Sequence, residues 1–340
     1  MTHLTYLEAA VVGLIQGVTE LFPISSLGHN VLLPALVGGS WEADLNVARP
    51  ESPYLAFIVG LHVATAIALL IYFWRDWVRI VKGFFSSLRQ FIQPEEGTGR
   101  WQLQTADQRL AWMIILATIP VGLVGLKFEH EFRVLFGKPI RAAIFLVING
   151  LILLAGEFFR RKASVRADQE IARERELVAA GGARQTAGAR HASGHQAERE
   201  AEYSLGVESD QRLSTQGYLS AFLIGAAQIL ALLAGISRDG VAMVAGMFRG
   251  LSREDAARFA FLLATPVILA AGLLKVPDLM GPLGNGIHGQ VLVGSVLSGV
   301  GAYLSVRFLV KYFRTRTLTP FGIYCIVVGL GSIVYLSVAQ

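Results

Sequence analysis

Eight apolar stretches divide this chain, and two of them are interrupted partway by a polar break. Six read as transmembrane helices: Tyr54–Trp74, Leu110–Leu126, Ala142–Gly156, Phe259–Leu274, Val291–Val306 and Phe321–Val338. A full span takes about 20 apolar residues, so the shorter runs must borrow flanking residues such as Phe158, Phe159, Phe308 and Leu309. The remaining two are different. Leu4–Phe22 runs into Pro23-Ile24-Ser25-Ser26 and resumes to Val37. Tyr218–Ala234 runs into Gly235-Ile236-Ser237-Arg238-Asp239-Gly240 and resumes to Phe248. Each arm is too short to cross twice, so each pair reads as a re-entrant hairpin. Irregular backbone at membrane depth survives only where protein or a wet cavity satisfies its polar groups.

Composition agrees with an integral membrane protein. Of 340 residues, 53% are hydrophobic and 16% charged, against about 25% charged in soluble domains. Mean hydropathy is +0.51. These values exclude a nucleic-acid module, a disordered chain and an ordinary cytosolic enzyme, so no nucleic-acid partner is expected. The net charge of +5 fits basic cytoplasmic loops. The single cysteine, Cys325, rules out an intrachain disulfide. The start MTHLTYLEAA has no basic stretch and carries Glu8 ahead of the apolar run, which argues against a cleaved signal peptide.

Orientation follows from Lys and Arg. If the end of the first span faces inward, the inner ends collect 16 basic residues and the outer ends six, counted from Arg49 to Arg316 outside the Ser164–Gln216 loop. Both termini then come out extracytoplasmic, and the loop 161–216 cytoplasmic. That loop reads as a solvated, partly helical or disordered linker, because its ten basic and nine acidic residues between 160 and 217 nearly cancel. His191 and His195 within it are too sparse for a metal site. Thr105 with Gln108, and Ser252 with Asp255, look like capping boxes.

The two hairpins align at an offset of 212 residues. Gln16 falls on Gln228, Ile24 on Ile236, Ser25 on Ser237 and Ser26 on Arg238. Three spans follow each hairpin, an odd number, so the second copy enters from the opposite face. The expected fold is therefore all-α: six transmembrane helices plus two re-entrant helical hairpins in an inverted-topology repeat. The first repeat covers 1–160, the charged loop 161–216, and the second repeat 217–340. Such folds place their site near the midplane, where the broken helices meet.

Polar groups at that depth are costly and mark function. The set is Gln16, Glu20, Ser25, Ser26, His29, His62, Gln228, Ser237, Arg238 and Asp239. Gln16 and Glu20, four apart, share a helix face. Pro23 stops the helix and frees backbone groups near Ser25 and Ser26. His29 lies three residues past Ser26. On the other hairpin, Arg238 offers a planar fork suited to phosphate, and helix-start N–H groups cradle the same anion. Plainer readings stand beside these. Glu20 and Arg238 form a structural salt bridge, the serines are caps, His62 bonds between helices, and Asp239 neutralises Arg238.

The run Gln16-Gly17-Val18-Thr19-Glu20-Leu21-Phe22-Pro23-Ile24-Ser25-Ser26-Leu27-Gly28-His29 resembles the first signature of bacterial undecaprenyl-diphosphate phosphatases of the bacitracin-resistance type. Gly225–Thr265, with Gly235-Ile236-Ser237-Arg238, resembles the second. The resemblance spans both halves and omits the Ser164–Gln216 loop. It implies a six-span, inverted-repeat enzyme of the bacterial plasma membrane that removes the terminal phosphate from undecaprenyl diphosphate. By that resemblance, Glu20, Ser26, His29 and Arg238 are catalytic, while Gln16 and Ser237 bind substrate; Ser25, Asp239 and Gln228 join the substrate-binding candidates from their place in the deep polar set. Glu20 and Gln16 are the expected ligands of a divalent cation such as Mg2+ or Ca2+. The expected partners are the polyprenyl diphosphate, membrane lipids and a second copy in a homodimer. The second motif departs from the family's usual Pro-Gly-x-Ser-Arg-Ser-Gly-x-Thr. Ala234, Asp239 and Ala242 replace the Pro, the second Ser and the Thr. A flippase or transporter of polyprenyl phosphate, or a catalytically altered paralogue, is the alternative.

Overall fold

The computed structural model of the chain describes residues 4–45, 53–93, 103–136, 138–179, 195–281 and 284–339. Among them there is no strand. The first half runs α1 (Tyr6–Thr19), α2 (Ser26–Val37), the short α3 (Ser40–Asp44), α4 (Pro53–Tyr72), α5 (Trp74–Ile92), α6 (Ala106–Phe136) and α7 (Pro139–Ala179). After α8 (His195–Ser214), the second half runs α9 (Tyr218–Ala227) with a 3-10 turn over Gln228–Leu232. It continues through α10 (Arg238–Phe248), α11 (Arg253–Met280), α12 (His288–Thr315) and α13 (Thr319–Ala339).

Five helices, within α6, α7, α11, α12 and α13, are long and apolar enough to cross a membrane, and up to seven spans result if bent pairs count. The chain is a multi-pass membrane protein. Five of the six expected spans fall within single helices, and Tyr54–Trp74 overruns its helix. The first, α4, ends at Tyr72 and turns by 84° into α5. The residues of α5 had served only to orient the first span. They form an amphipathic helix, with Val78, Val81 and Phe85 exposed and Asp76 and Ser87 buried.

Capping sets the starts. Thr5 accepts from the Glu8 N–H at 3.2 Å while Glu8 accepts from the Thr5 N–H at 2.7 Å. Thr105 and Gln108 do the same at 3.2 Å each way. Ser252 accepts from the Asp255 N–H at 3.0 Å. Between the halves, small residues allow close crossing. A Cβ at Gly17 of α1 would lie 2.9 Å from the Ser298 Cα of α12, and Gly13 likewise meets Gly294. Small residues four apart on both helices bring backbones together in a bilayer. Thr65 of α4 and Ser298 share a hydrogen bond at 3.1 Å. The end of α1 is thereby fixed beside the middle of α4 and α12.

The charged segment differs in part from a solvated linker. Residues 180–194, His191 among them, lie outside the described residues. Helix α8 is packed, with Ser209, Asp210 and Leu213 buried. Arg258 of α11 donates to Asp210 at 2.7 Å and to Asp76 of α5 at 2.7 Å. Arg79 pairs with Asp210 and, at 3.1 Å, with Asp107. Arg212 holds Asp255 at 2.7 Å. The near-neutral charge balance of this segment reflects these specific pairings as well as solvated residues. The carboxylate of Asp255 holds the proton of Arg212 more tightly than usual, pushing the guanidinium up.

Candidate active site

Both apolar hairpins break where expected, and both breaks end in the same cap. Ser25 is the N-cap of α2 and accepts from the Gly28 N–H at 3.2 Å. Ser237 is the N-cap of α10 and accepts from the Gly240 N–H at 3.1 Å. The 212-residue alignment thus holds at the level of hydrogen bonds. The breaks also touch. The Gly235 N–H donates to Ser25 Oγ at 3.2 Å. A Cβ on Gly28 would lie 2.9 Å from the Gly235 Cα. Gly235 has φ +112°, and a Cβ there would strike the Ala142 carbonyl and lie 2.7 Å from the Leu146 nitrogen. Only glycine meets both demands.

Asn149 of α7 ties the two breaks together. It donates to the Pro23 carbonyl at 3.0 Å and accepts from the Ser237 N–H at 2.9 Å. No pattern in the sequence singled it out. A lone Asn inside an apolar run was the available signal.

The carboxylate of Glu20 sits at the centre. Its Oε1 accepts from Arg238 Nη2 at 3.0 Å. Its Oε2 accepts from Gln16 Nε2 at 2.9 Å and from the Ser26 hydroxyl. His62 Nε2 lies 3.6 Å from the same oxygen. Arg238 Nη1 is anchored on the Ala264 carbonyl at 3.1 Å, and its Nη2 is 3.4 Å from Asp239. Gln16 is held in turn by Asn30, which donates to its carbonyl oxygen at 2.6 Å. Glu20 and Arg238 are 7% and 12% exposed, buried yet reachable.

The remaining expected residues fall around this centre. Ser25 and Ser237 are buried and occupied by capping. Ser25 carries φ +69°, the one positive φ of a non-glycine among the described residues. Strained backbone of this kind gathers at functional sites. His29 turns aside: Nδ1 lies 2.7 Å from the Ser25 carbonyl and Nε2 2.9 Å from the Tyr324 hydroxyl. The imidazole nearest the carboxylate is that of His62, whose Nδ1 is 2.9 Å from the Ile58 carbonyl. Gln228 is buried, with no hydrogen-bond partner for Nε2 among the described residues, and no contact joins it to Glu20.

A divalent cation can be tested against these donors. Gln16's carbonyl oxygen is engaged by Asn30. Among the described residues no group of three or more His, Cys, Asp or Glu converges on one point. Asp239, however, is fully buried, and neither carboxylate oxygen has a hydrogen-bond partner. A Mg2+ ion is commonly held by one or two carboxylates and completed by substrate phosphates. Glu20 and Asp239 fit that pattern.

A carboxylate held against a guanidinium where two serine-capped helix starts meet defines a class: multi-pass membrane proteins with a charged site buried inside the helical bundle. The comparisons narrow it. A profile of the family described as "Bacitracin resistance protein BacA" matches residues 9–331, and the chain belongs to that family. It is 56% identical over 336 residues, 98% of each chain, to an undecaprenyl-diphosphatase of Mycolicibacterium paratuberculosis. It is 52% identical over 351 residues, 97% of each chain, to undecaprenyl-diphosphatase 2 of Frankia alni. Undecaprenyl-diphosphatase 2 of Chromobacterium violaceum is 36% identical over 334 residues, 97% of this chain and 98% of its own.

Proposed function

We propose that this chain is a membrane phosphatase that hydrolyses undecaprenyl diphosphate to undecaprenyl phosphate and inorganic phosphate. That reaction returns the lipid carrier to cell-wall synthesis. One observation carries the chemistry: Ser26 donates its hydroxyl hydrogen to a carboxylate that also faces Arg238. Base, nucleophile and anion holder meet at one oxygen pair.

Phosphoryl transfer depends on positioning and charge stabilisation. Arg238, fixed through Nη1 on Ala264, turns Nη2 to the terminal phosphate. The N–H groups at the starts of α2 and α10 face the same anion. Glu20 takes the Ser26 proton as Oγ bonds to the terminal phosphorus. The bridging P–O bond breaks and undecaprenyl phosphate leaves. Glu20 passes that proton to the departing phosphate, then takes one from the water that attacks the phosphoserine and returns it to Ser26 Oγ as the O–P bond breaks, releasing inorganic phosphate. His62 and Gln16 hold Glu20 in place. His29, bonded to Tyr324, sets the start of α2. A cation ligated by Glu20 and Asp239 would arrive with the diphosphate and offset its charge.

The topology we assign keeps six spans and two re-entrant hairpins in an inverted repeat, bounded at residues 160 and 217. Both termini are extracytoplasmic, and the segment between the repeats is cytoplasmic. The membrane is the bacterial plasma membrane. Purified protein in detergent should release inorganic phosphate from undecaprenyl diphosphate. A preparation inert in detergent, yet moving polyprenyl phosphate across sealed vesicles, would replace the phosphatase with a flippase.

A further inference from the structure

At the Arg-rich end of the bundle lies a second cavity, of about 360 Å3. It is separate from the Glu20–Arg238 cluster. Along α4, Tyr72 on its wall is ten residues beyond His62, about 15 Å at the helical rise. Its walls come from α4, α5, α11, α12 and α8, so the segment between the repeats closes one side.

Its charges do not balance. Five basic side chains line it, Arg75, Arg258, Arg307, Lys311 and Arg314, against the acidic Asp76, Glu202 and Glu254. The acids are already engaged. Asp76 accepts from Arg258 at 2.7 Å, Glu202 accepts from the Tyr72 hydroxyl at 2.6 Å, and Glu254 lies 3.3 Å from Arg314. Arg258 is also shared with Asp210. Arg75 and Arg307 make no ion pair with a described residue. Arg75 instead rests on the Tyr203 ring, 4.7 Å from its centroid. Arg314 Nε is buried; it faces Glu254 at 3.3 Å and makes no hydrogen bond with a described residue. Guanidinium groups without an ion pair, one of them seated on an aromatic ring, beside acids already engaged by their neighbours, suit a phosphate group bound through a planar fork. The volume is in the range of small-molecule pockets and exceeds what one inorganic phosphate needs.

We propose that this cavity is a second anion site, which binds a phosphate monoester between Arg75, Arg307 and Arg314. The monoester is either the headgroup of a lipid phosphate or free inorganic phosphate. Docking of α8 through Asp210 and Arg258 builds the site, which gives the inter-repeat segment a function.

The test uses the full chain carrying Arg238→Ala, so that the first site loses its guanidinium. Calorimetric titration in detergent with farnesyl phosphate, and separately with inorganic phosphate, should show saturable binding of at least one. Adding Arg75→Gln and Arg307→Gln should weaken it by about tenfold or more, as charge-assisted bonds are lost. Arg75→Lys with Arg307→Lys, which keeps the charge but not the fork, should bind between the parent and the glutamine pair and controls for folding. Binding of farnesyl phosphate alone assigns a lipid headgroup, and equal binding of both assigns free phosphate. No saturable binding of either probe, or binding indifferent to the glutamine pair, overturns the proposal.

Discussion

The two breaks share one frame and divide the chemistry between them. Each is capped by a serine whose hydroxyl accepts from the N–H three residues on. The residue after the cap differs: Ser26 in the first, Arg238 in the second. The approach differs too. The first arm delivers Gln16 and Glu20 ahead of Pro23. The second unwinds into a 3-10 turn and bends through Gly235 at φ +112°. Equal caps place the two helix starts against one another, and the unequal residues then complement each other. A shared backbone solution can therefore carry different side chains, and in the proposed reaction one break serves proton transfer and the other anion binding.

The largest expected effect tests that division. Glu20→Gln should cut phosphate release by about 10²–10⁴-fold, the range for losing a general base. Arg238→Ala should do comparable harm and also raise KM, because it removes a contact to the phosphate. Initial-rate assays separate the two. If Glu20→Gln raised KM alone, the carboxylate would belong to binding, and the proposed division would fail.

Asn149→Ala comes next, because Asn149 reaches from α7 to the backbone of both breaks. It would leave the Pro23 carbonyl and the Ser237 N–H without their partner. Each buried unsatisfied group costs about 1–3 kcal/mol. The variant should unfold several degrees below wild type in detergent, read by circular dichroism. A Thr65→Val control, away from both breaks, should shift far less. Equal shifts would mean that the breaks hold together without α7.

How much of this was legible beforehand follows a physical line. The breaks were readable because a bilayer forbids unpaired backbone, so Pro23 and Gly235 in apolar runs had to mark an interruption of the helix. The Glu20–Arg238 meeting followed from the repeat. His62 was harder. It lies in an unbroken span, and only the packing of α1 against α4 and α12 brings it to Glu20. His29 was read from spacing along one helix. Its rotation toward Tyr324, 295 residues away, is a tertiary fact. The Asp76–Arg258–Asp210 cluster was invisible for the same reason. Its members are far apart in the chain, and a near-neutral charge count looks alike whether ions are solvated or paired.

The caps allow a finer comparison. Ser237→Ala removes one capping bond, worth about 1 kcal/mol. Ser25→Ala removes the equivalent cap and also strands the buried Gly235 N–H, an added cost of about 1–3 kcal/mol. Thermal unfolding should rank Ser25→Ala below Ser237→Ala. The reverse order would show that the second break, not the first, carries the contact between repeats.

The smallest effect concerns the residue that most separates this chain's second break from the motif it resembles. Asp239 lies 3.4 Å from the guanidinium that is assigned to the phosphate, and its oxygens have no other partner among the described residues. A carboxylate there competes with the substrate for Arg238, so Asp239→Asn should free the guanidinium. KM should fall about threefold, roughly 0.6 kcal/mol, the size of a weak ion pair. Turnover should barely change, since proton transfer stays with Glu20. The same assay run across divalent-cation concentrations reads the other role. If Asp239 ligates a cation that enters with the diphosphate, the variant will need more cation for half-maximal rate, and KM will rise instead. The direction of one KM change therefore decides whether the carboxylate beside Arg238 opposes the substrate or helps to carry it in.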